Sequence, residues 1–513
     1  MITFTRARAH AAALIGVALW LATAAAQDIL PTAGRRGTPS PSLPGIDRGR
    51  TGVSPRSLRK SIDSYTQRIT SRYVRGSIVV KFKPGTSQAA RAALIELVSG
   101  RSRPNAPYAA FDLVDIDQQA DPEAVARRLA AQPDVQFAQA RYRARPLFRP
   151  NDPFYSLQWN FRALDMERAW DINPGATSDV VVAVLDSGAA YTNVSFDFTQ
   201  TRPQRIDDVL YPALGTVHIP FAAAPDLGGA SRIVSPYDFI WDDNQPVDLD
   251  GHGTHVAGTI GQLTNNSVGV AGMAYNVKLM PVKVIDGFWD AYFESPFFGT
   301  DDVVARGIRY AADSGAKIIN MSIGREGPPA PVVRDALEYA VSKGAFVAIA
   351  GGNEFNEGNP VPRYAEFAHQ INGVVAVGAV ASDRQRANYS TTGPYIELMA
   401  PGGDSVRTGV DGMIVQQTYD FEFTDTFMNG PAGFHAPRFD VFEYIYYQGT
   451  SMATAHVSGL AALLYQQGIT KPAAIEAALK RSATDLGAAG RDDQYGHGLI
   501  NPRAALRGLG IVR

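Results

Sequence analysis

The sequence predicts an α/β protein: a mostly parallel sheet with helices on both faces, preceded by a small α+β module. Three observations predict it. Apolar strand-like runs recur at 180–185, 278–285, 317–321, 346–350 and 374–380, with helical segments between several of them. Such continuous runs, rather than period-two alternation, mark strands covered on both faces. The charge is also divided: residues 1–150 carry 23 Lys and Arg against 10 Asp and Glu, net +13, whereas 151–513 carry 25 against 40, net −15. A basic front and an acidic body are separate folding units. Finally, 513 residues at 45% hydrophobic content supply a large core and two to four units.

Composition also excludes whole classes of function. There is no cysteine, so disulfides, a thiol nucleophile, cysteine-ligated zinc and a lipoprotein anchor are ruled out. The body has no basic stripe, which argues against a nucleic-acid partner.

Residues 1–26 read as a secretory signal. Arg6 and Arg8 precede the apolar run Ala11 to Leu21, and Ala24, Ala25 and Ala26 offer small residues for cleavage before Gln27. That run is too short for a comfortable membrane span. No other stretch approaches 18 apolar residues, so no membrane attachment is expected after signal removal, and the product is expected in the periplasm or the medium. Residues 27–75, rich in Pro, Gly, Ser and Arg, read as a disordered linker.

Order resumes at 76–145. Strands are expected at 77–82, 111–114 and 135–138, with helical spacing at 87–98 and 122–131. The pattern is βαββαβ-like. A basic segment, Arg141 to Pro146, closes it.

The body runs from 150 to 513. Helices are expected at 302–314 and 332–343, each followed by a glycine (Gly315, Gly344) suited to a helix end. In such sheets, sites form beyond the carboxyl ends of the strands, and four strand or loop ends carry chemistry. The run Val180–Gly188 drives an apolar strand into Asp186; an Asp held there can orient an imidazole or merely cap a turn. The segment Asp250–Thr259 places His252 between glycines. With no Glu between His252 and His255 and no cysteine, a general base fits better than a metal ligand. The strand 346–350 ends in Gly351 and Gly352 and presents Asn353, whose amide can donate to a developing oxyanion or simply occupy a turn. The segment Gly449–Gly459 puts Ser451 at a helix start, where free N–H groups favour negative charge but where serine also serves as an N-cap.

The order Asp186, His252, Asn353, Ser451, each within a nearly complete motif, resembles the subtilisin-like serine proteases (subtilases) over about residues 150–510. The resemblance implies a subtilisin-like fold and assigns roles. Ser451 is the nucleophile, His252 the general base, Asp186 the holder of its tautomer. Asn353 forms the oxyanion hole with the Ser451 N–H. Ser322, Ile323 and Gly324 match the edge that pairs with substrate backbone, opposed by Ala350, Gly351 and Gly352, so extended protein or peptide substrates are implied. Arg325, next in line, is either a substrate contact or a solvated rim residue.

The loop 263–270 is similar to the family's calcium loop, with one extra residue. Leu263, Asn266, Val268 and Val270 match its ligand positions, with Gln158 and Asp197 as further ligands; a plain turn is the alternative. The front module resembles the family's propeptide, an intramolecular inhibitor and folding assistant, cleaved near 145–152. A monomer is expected.

The chain departs from the family at Ala455, where Pro usually stands four residues after the serine. Ala restores a backbone donor, which predicts a more regular helix and altered acyl-enzyme partitioning. Two insertions, at about 200–247 and 407–447, lead into active-site motifs and are expected either to shape the cleft or to pack on themselves. The leading expectation is a secreted, calcium-assisted, self-processing serine endopeptidase. The alternatives are a specialised processing protease or peptide ligase, and a catalytically silent binding module.

Overall fold

The computed structural model describes residues 73–103, 109–142, 148–206 and 208–508. The expected signal segment, the linker up to residue 72 and the end of the front module at 143–147 lie outside the described residues. The described chain forms two compact units, one on either side of 143–147.

The front unit has the order read from the sequence. Strands β1 (Tyr73–Phe82), β2 (Arg101–Ser102), β3 (Asp112–Asp115) and β4 (Val135–Tyr142) form one antiparallel sheet, in the order β2-β3-β1-β4. Helices Gln88–Glu96 and Pro122–Ala130 connect them. Asp121 caps the second helix through Glu123 N–H at 3.1 Å, with Pro122 at its first position. Ile78, Val80, Val114 and Leu129 are fully buried in its core. β1 starts at Tyr73, three residues before the expected boundary.

The body is built on β5 (Val181–Asp186). The first insertion follows as two ribbons: β6 (Val194–Gln200) pairs with β9 (Gly215–Phe221), and β7 (Gln204–Ile206) with β8 (Val209–Tyr211). It ends in the two-residue β10 (Tyr237–Asp238). Then come β11 (Lys278–Lys283), β12 (Ile318–Met321), β13 (Phe346–Ala350), β14 (Val374–Val380) and β15 (Ile396–Pro401). Seven strands form one sheet, β10-β11-β5-β12-β13-β14-β15, parallel at every pair. The five expected strands lie at its centre. β10 and β15 escaped the sequence reading: one is two residues long, and the other, Ile-Glu-Leu-Met-Ala-Pro, holds a charged residue, Glu397, and a single β-branched one, Ile396.

The helix His252–Gly261 (the histidine helix) and the helix Thr450–Gln466 (the serine helix) pack on each other over one face of the sheet; Asp301–Asp313 and Pro331–Ser342 pack together over the other. This is the two-faced covering that the apolar strands required. The second insertion forms a ribbon of β16 (Ile414–Tyr419) with β17 (Phe442–Tyr447), laid against the histidine helix. Its Phe427 stacks on Phe288 at 4.2 Å, and Phe434 on Trp289 at 5.3 Å. It is therefore joined to the body rather than packed on itself.

Candidate active site

The register of the sheet assembles the site. β5 is buried over its last five residues and ends in the fully buried Asp186. Asp186 Oδ1 accepts the Ser187 N–H at 2.8 Å and lies 2.7 Å from His252 Nδ1. His252 opens the histidine helix, and its flanking glycines are required by contact. Gly251 has φ +107°, and a Cβ there would stand 2.8 Å from Thr418 Oγ1; a Cβ on Gly253 would stand 2.2 Å from the Gly188 carbonyl oxygen. The His252 side chain is 27% exposed, enough for a reacting group to reach the ring. Burial opposes its charged form, but Asp186, with Asp250 and Asp248 behind it, outweighs burial and raises its pKa to about 9. His255, one turn on, is buried and held neutral, its pKa lowered by burial to about 3. Its Nε2 faces the Ile414 and Ile445 carbonyls of the ribbon, at 3.0 and 3.2 Å.

Ser451 is the second residue of the serine helix, so its backbone N–H has no intrahelical acceptor. Its hydroxyl donates to the Ser322 carbonyl at 3.1 Å. In return the Ser322 hydroxyl donates to the Ser451 carbonyl at 2.8 Å and accepts from Asn320 Nδ2 at 3.0 Å, while Ser458 closes on Asn320 Oδ1 at 2.8 Å. The end of β12 is thus laced to the serine helix. Asn353 Oδ1 accepts both the N–H and the hydroxyl of Thr450, at 2.9 and 3.0 Å. That fixes the amide's orientation and leaves Nδ2 free. A Cβ built on Gly449 would stand 3.6 Å from Asn353 Nδ2 and 3.7 Å from Ser451 N, so the two donors flank one point. The serine helix runs unbroken through the buried Ala455.

Ser322, Ile323 and Gly324 follow β12, and Gly351 and Gly352 continue from Ala350 at the end of the neighbouring β13. Space beside Gly324 is open, whereas Gly352, at φ +104°, would clash with Pro362 at 2.6 Å if it carried a Cβ. Arg325 is neither a substrate-facing cation nor a freely solvated one. Its guanidinium grips Asp301 with two nitrogens and the Glu326 and Pro328 carbonyls with a third.

The loop after the histidine helix gathers a different set of side chains from the expected one. Leu263 N–H donates to the Asp226 carbonyl at 3.0 Å; Asn266 Nδ2 and Val270 N–H donate to the Asp226 carboxylate at 2.7 and 3.1 Å; Val268 N–H donates to Asn266 Oδ1 at 2.9 Å. Asp152 faces the same loop, accepting Asn265 and Asn266 N–H at 2.8 and 3.1 Å. Two expected members do not join. Gln158 spends both ends of its amide on the Ala271 backbone. Asp197 lies exposed on β6, paired with His218 at 2.8 Å. The reason is the first insertion: the chain travels out along β6 and β9 before Asp226 reaches the loop, so the first acid after Asp186 is not the one that arrives. Among the described residues no three acidic or histidine side chains converge on one point. The cradle is two buried carboxylates among amides and carbonyls, a hard-oxygen donor set that fits calcium.

Sequence reasoning also missed Asp248. The signal was an acid four residues before His252, two positions ahead of the segment Asp250–Thr259.

The chain is also similar to known proteins. Residues 177–498 match the model of the subtilase family, and residues 59–140 match the fervidolysin N-terminal prodomain. The thermophilic serine proteinase of Bacillus sp. strain AK1 is 30% identical over 427 residues, which are 83% of this chain and 86% of that one. An extracellular protease of Xanthomonas campestris is 32% identical over 404 residues, 75% of this chain and 62% of that one. A solved protease structure from Pseudoalteromonas arctica superposes with a TM-score of 0.52 at 29% identity, covering 70% of this chain and 99% of its own.

Proposed function

Because this chain belongs to the subtilase family of serine proteases and carries a prodomain, we propose that it is a secreted serine endopeptidase that matures by cleaving itself. The observation that supports this most is the 2.7 Å approach of Asp186 to His252 on the same shelf as a serine at a helix start and an anchored asparagine amide. Ser451 attacks the scissile carbonyl. His252 takes its proton and returns it to the leaving amine, while Asp186 holds the imidazole tautomer and stabilises its charge. Asn353 Nδ2 and the Ser451 N–H receive the oxyanion. The Ser451 hydroxyl rests on the Ser322 carbonyl; a substrate N–H pairing along Ser322–Gly324 competes for that acceptor and turns the hydroxyl toward His252.

Ile323 and Ala350 flank the acyl residue, with Gly351 and Gly352 as the opposing wall. Asp152, Asp226 and the 263–270 loop would hold calcium, which would balance the charge of two buried carboxylates and tie the mature N-terminal segment to the body. The front unit acts as the intramolecular inhibitor of the body, with cleavage near 145–152. The reading includes a signal at 1–26, protein or peptide substrates and a monomer; the ligase alternative rests on Ala455.

The test is intact mass of wild type beside Ser451→Ala after identical expression with calcium. Loss of the front module only in wild type is the expected outcome. Equal processing of both proteins assigns the cleavage to another protease. An unprocessed wild type that also resists a serine-directed phosphonate overturns the enzyme reading in favour of a silent module.

A further inference from the structure

Asp248 is fully buried, and its carboxylate takes five hydrogen bonds from two separate stretches of chain. Oδ1 accepts the Asp250 and Gly251 N–H groups at 3.0 and 2.8 Å; Oδ2 accepts the N–H and hydroxyl of Thr254 at 2.9 and 2.6 Å. These four fix the turn on which His252 stands. The fifth comes from outside the turn: the Ser187 hydroxyl donates to Oδ1 at 2.9 Å and itself accepts the Gly253 N–H at 2.9 Å. Ser187 is the chain neighbour of Asp186. One carboxylate and one hydroxyl therefore stitch the residue after Asp186 to the residues on both sides of His252.

A buried carboxylate is costly unless its oxygens are satisfied. A neutral residue would cap the helix at less cost. Lys283 makes its direct ion pair with Asp290 at 2.8 Å, so all five hydrogen bonds to Asp248 come from neutral donors, while its charge also acts on Lys283 and His252. From the other side Thr418 holds the Gly251 carbonyl at 2.7 Å, which leaves the turn no freedom to drift.

We propose that Asp248 is a positioning residue for catalysis, acting through Ser187 to set the distance and tilt of the Asp186–His252 pair. The inference rests on the role given above to that pair. Charged and titratable groups facing His252 are Asp186 from β5, Asp248 and Asp250 from its own turn, and Asp425 and Tyr447 from the second insertion beside Asp250.

The experiment compares wild type with Asp248→Asn, Ser187→Ala and Ser187→Thr, purified as mature enzyme. Asp248→Asn turns one accepting oxygen into a donor; Ser187→Ala removes only the stitch and leaves the four bonds of the turn. Asp248→Asn is expected to lower kcat about 100-fold with KM little changed, the scale of a small misplacement of reacting groups. It is also expected to move the acid limb of the pH profile down by about one unit. Ser187→Ala is expected to lower kcat in the same direction with Tm nearly unchanged, and to shift the low-field resonance of the His252 Nδ1 proton; Ser187→Thr restores both. If Ser187→Ala and Asp248→Asn alter only Tm, leaving kcat, pH limb and resonance as in wild type, the positioning role is overturned. Should Asp248→Asn fail to fold, Ser187→Ala and its threonine rescue decide alone. Phosphonate labelling of Ser451 in wild type separates the two failures: a labelled wild type with indifferent variants sinks this inference only, and an unlabelled wild type sinks the proposed function.

Discussion

His252 sets the pH behaviour of the site. Burial favours the neutral ring, but three carboxylates outweigh it, and the pKa rises to about 9. In its proposed role as general base His252 must be neutral, so kcat/KM is expected to climb tenfold per pH unit and level off near pH 9; a limb near the ordinary histidine value, about 6.5, contradicts this. The sign for stability is the reverse. A raised folded-state pKa adds stability that is complete below about pH 6.5 and fades as pH rises through about 9, so activity and this contribution to stability peak at opposite ends of the range. Asn353 has a simpler test. Its Oδ1 is anchored by Thr450, and in the proposed role its Nδ2 donates to charge that develops during reaction, so Asn353→Ala is expected to cut kcat about 100- to 1000-fold with KM nearly constant, a magnitude known for such donors in this same family and carried over by analogy. An equal loss in both parameters argues for ordinary binding.

Among the elements, the serine helix and the second insertion are the informative ones. With Ala455 the helix continues without interruption behind Ser451, and the Ser451 carbonyl is held from the side by the Ser322 hydroxyl. Ala455→Pro removes a backbone donor and kinks the helix at that point. It is expected to shift the ratio of hydrolysis to aminolysis of the acyl-enzyme, and identical ratios dispose of the idea. The β16–β17 ribbon is bound at both ends of the histidine helix region. Thr418 holds Gly251, Gln416 Nε2 reaches the Ala271 carbonyl at 2.9 Å, and Gln417 Oε1 accepts the Asp226 N–H at 2.9 Å. The aromatic content that marked this segment in the sequence serves to join it to Phe288 and Trp289.

At the scale of the whole molecule, the Asp152–Asp226 cradle joins the first residues of the body to the loop behind the histidine helix. Burial raises the Asp226 carboxyl to about 6, a cost that a bound cation relieves. Chelation is therefore expected to lower the Tm of the mature protein by about 3–4 °C, the effect of a ligand held at roughly a hundred times its Kd on a domain this large. Asp226→Asn is expected to start from the lower Tm and to be indifferent to chelator; a variant that still responds places the cation elsewhere.

How much of this was legible in the chain follows from distance along it. The five central strands, the βαββαβ order of the front unit and the four site motifs were readable because each is a local pattern: an apolar run, a helical period, a glycine pair beside a reactive side chain. The Asp152–Asp226 cradle was half readable. Leu263, Asn266, Val268 and Val270 lie within one loop, but Asp226 and Asp152 reach it from 40 and 114 residues away from Asn266. Nothing local distinguishes Asp226 from Asp197. Asp248 stood two residues ahead of a recognised motif, and its five donors include Ser187 from 61 residues upstream. Arg325 was ambiguous for the same reason, since its partner Asp301 is 24 residues back along the chain. Sequence by itself determined the elements and the reactive groups, because propensity and burial pattern act between near neighbours. Only the tertiary structure decided which carboxylate meets which donor, because a buried charge is satisfied by whatever the folded chain brings within hydrogen-bond reach.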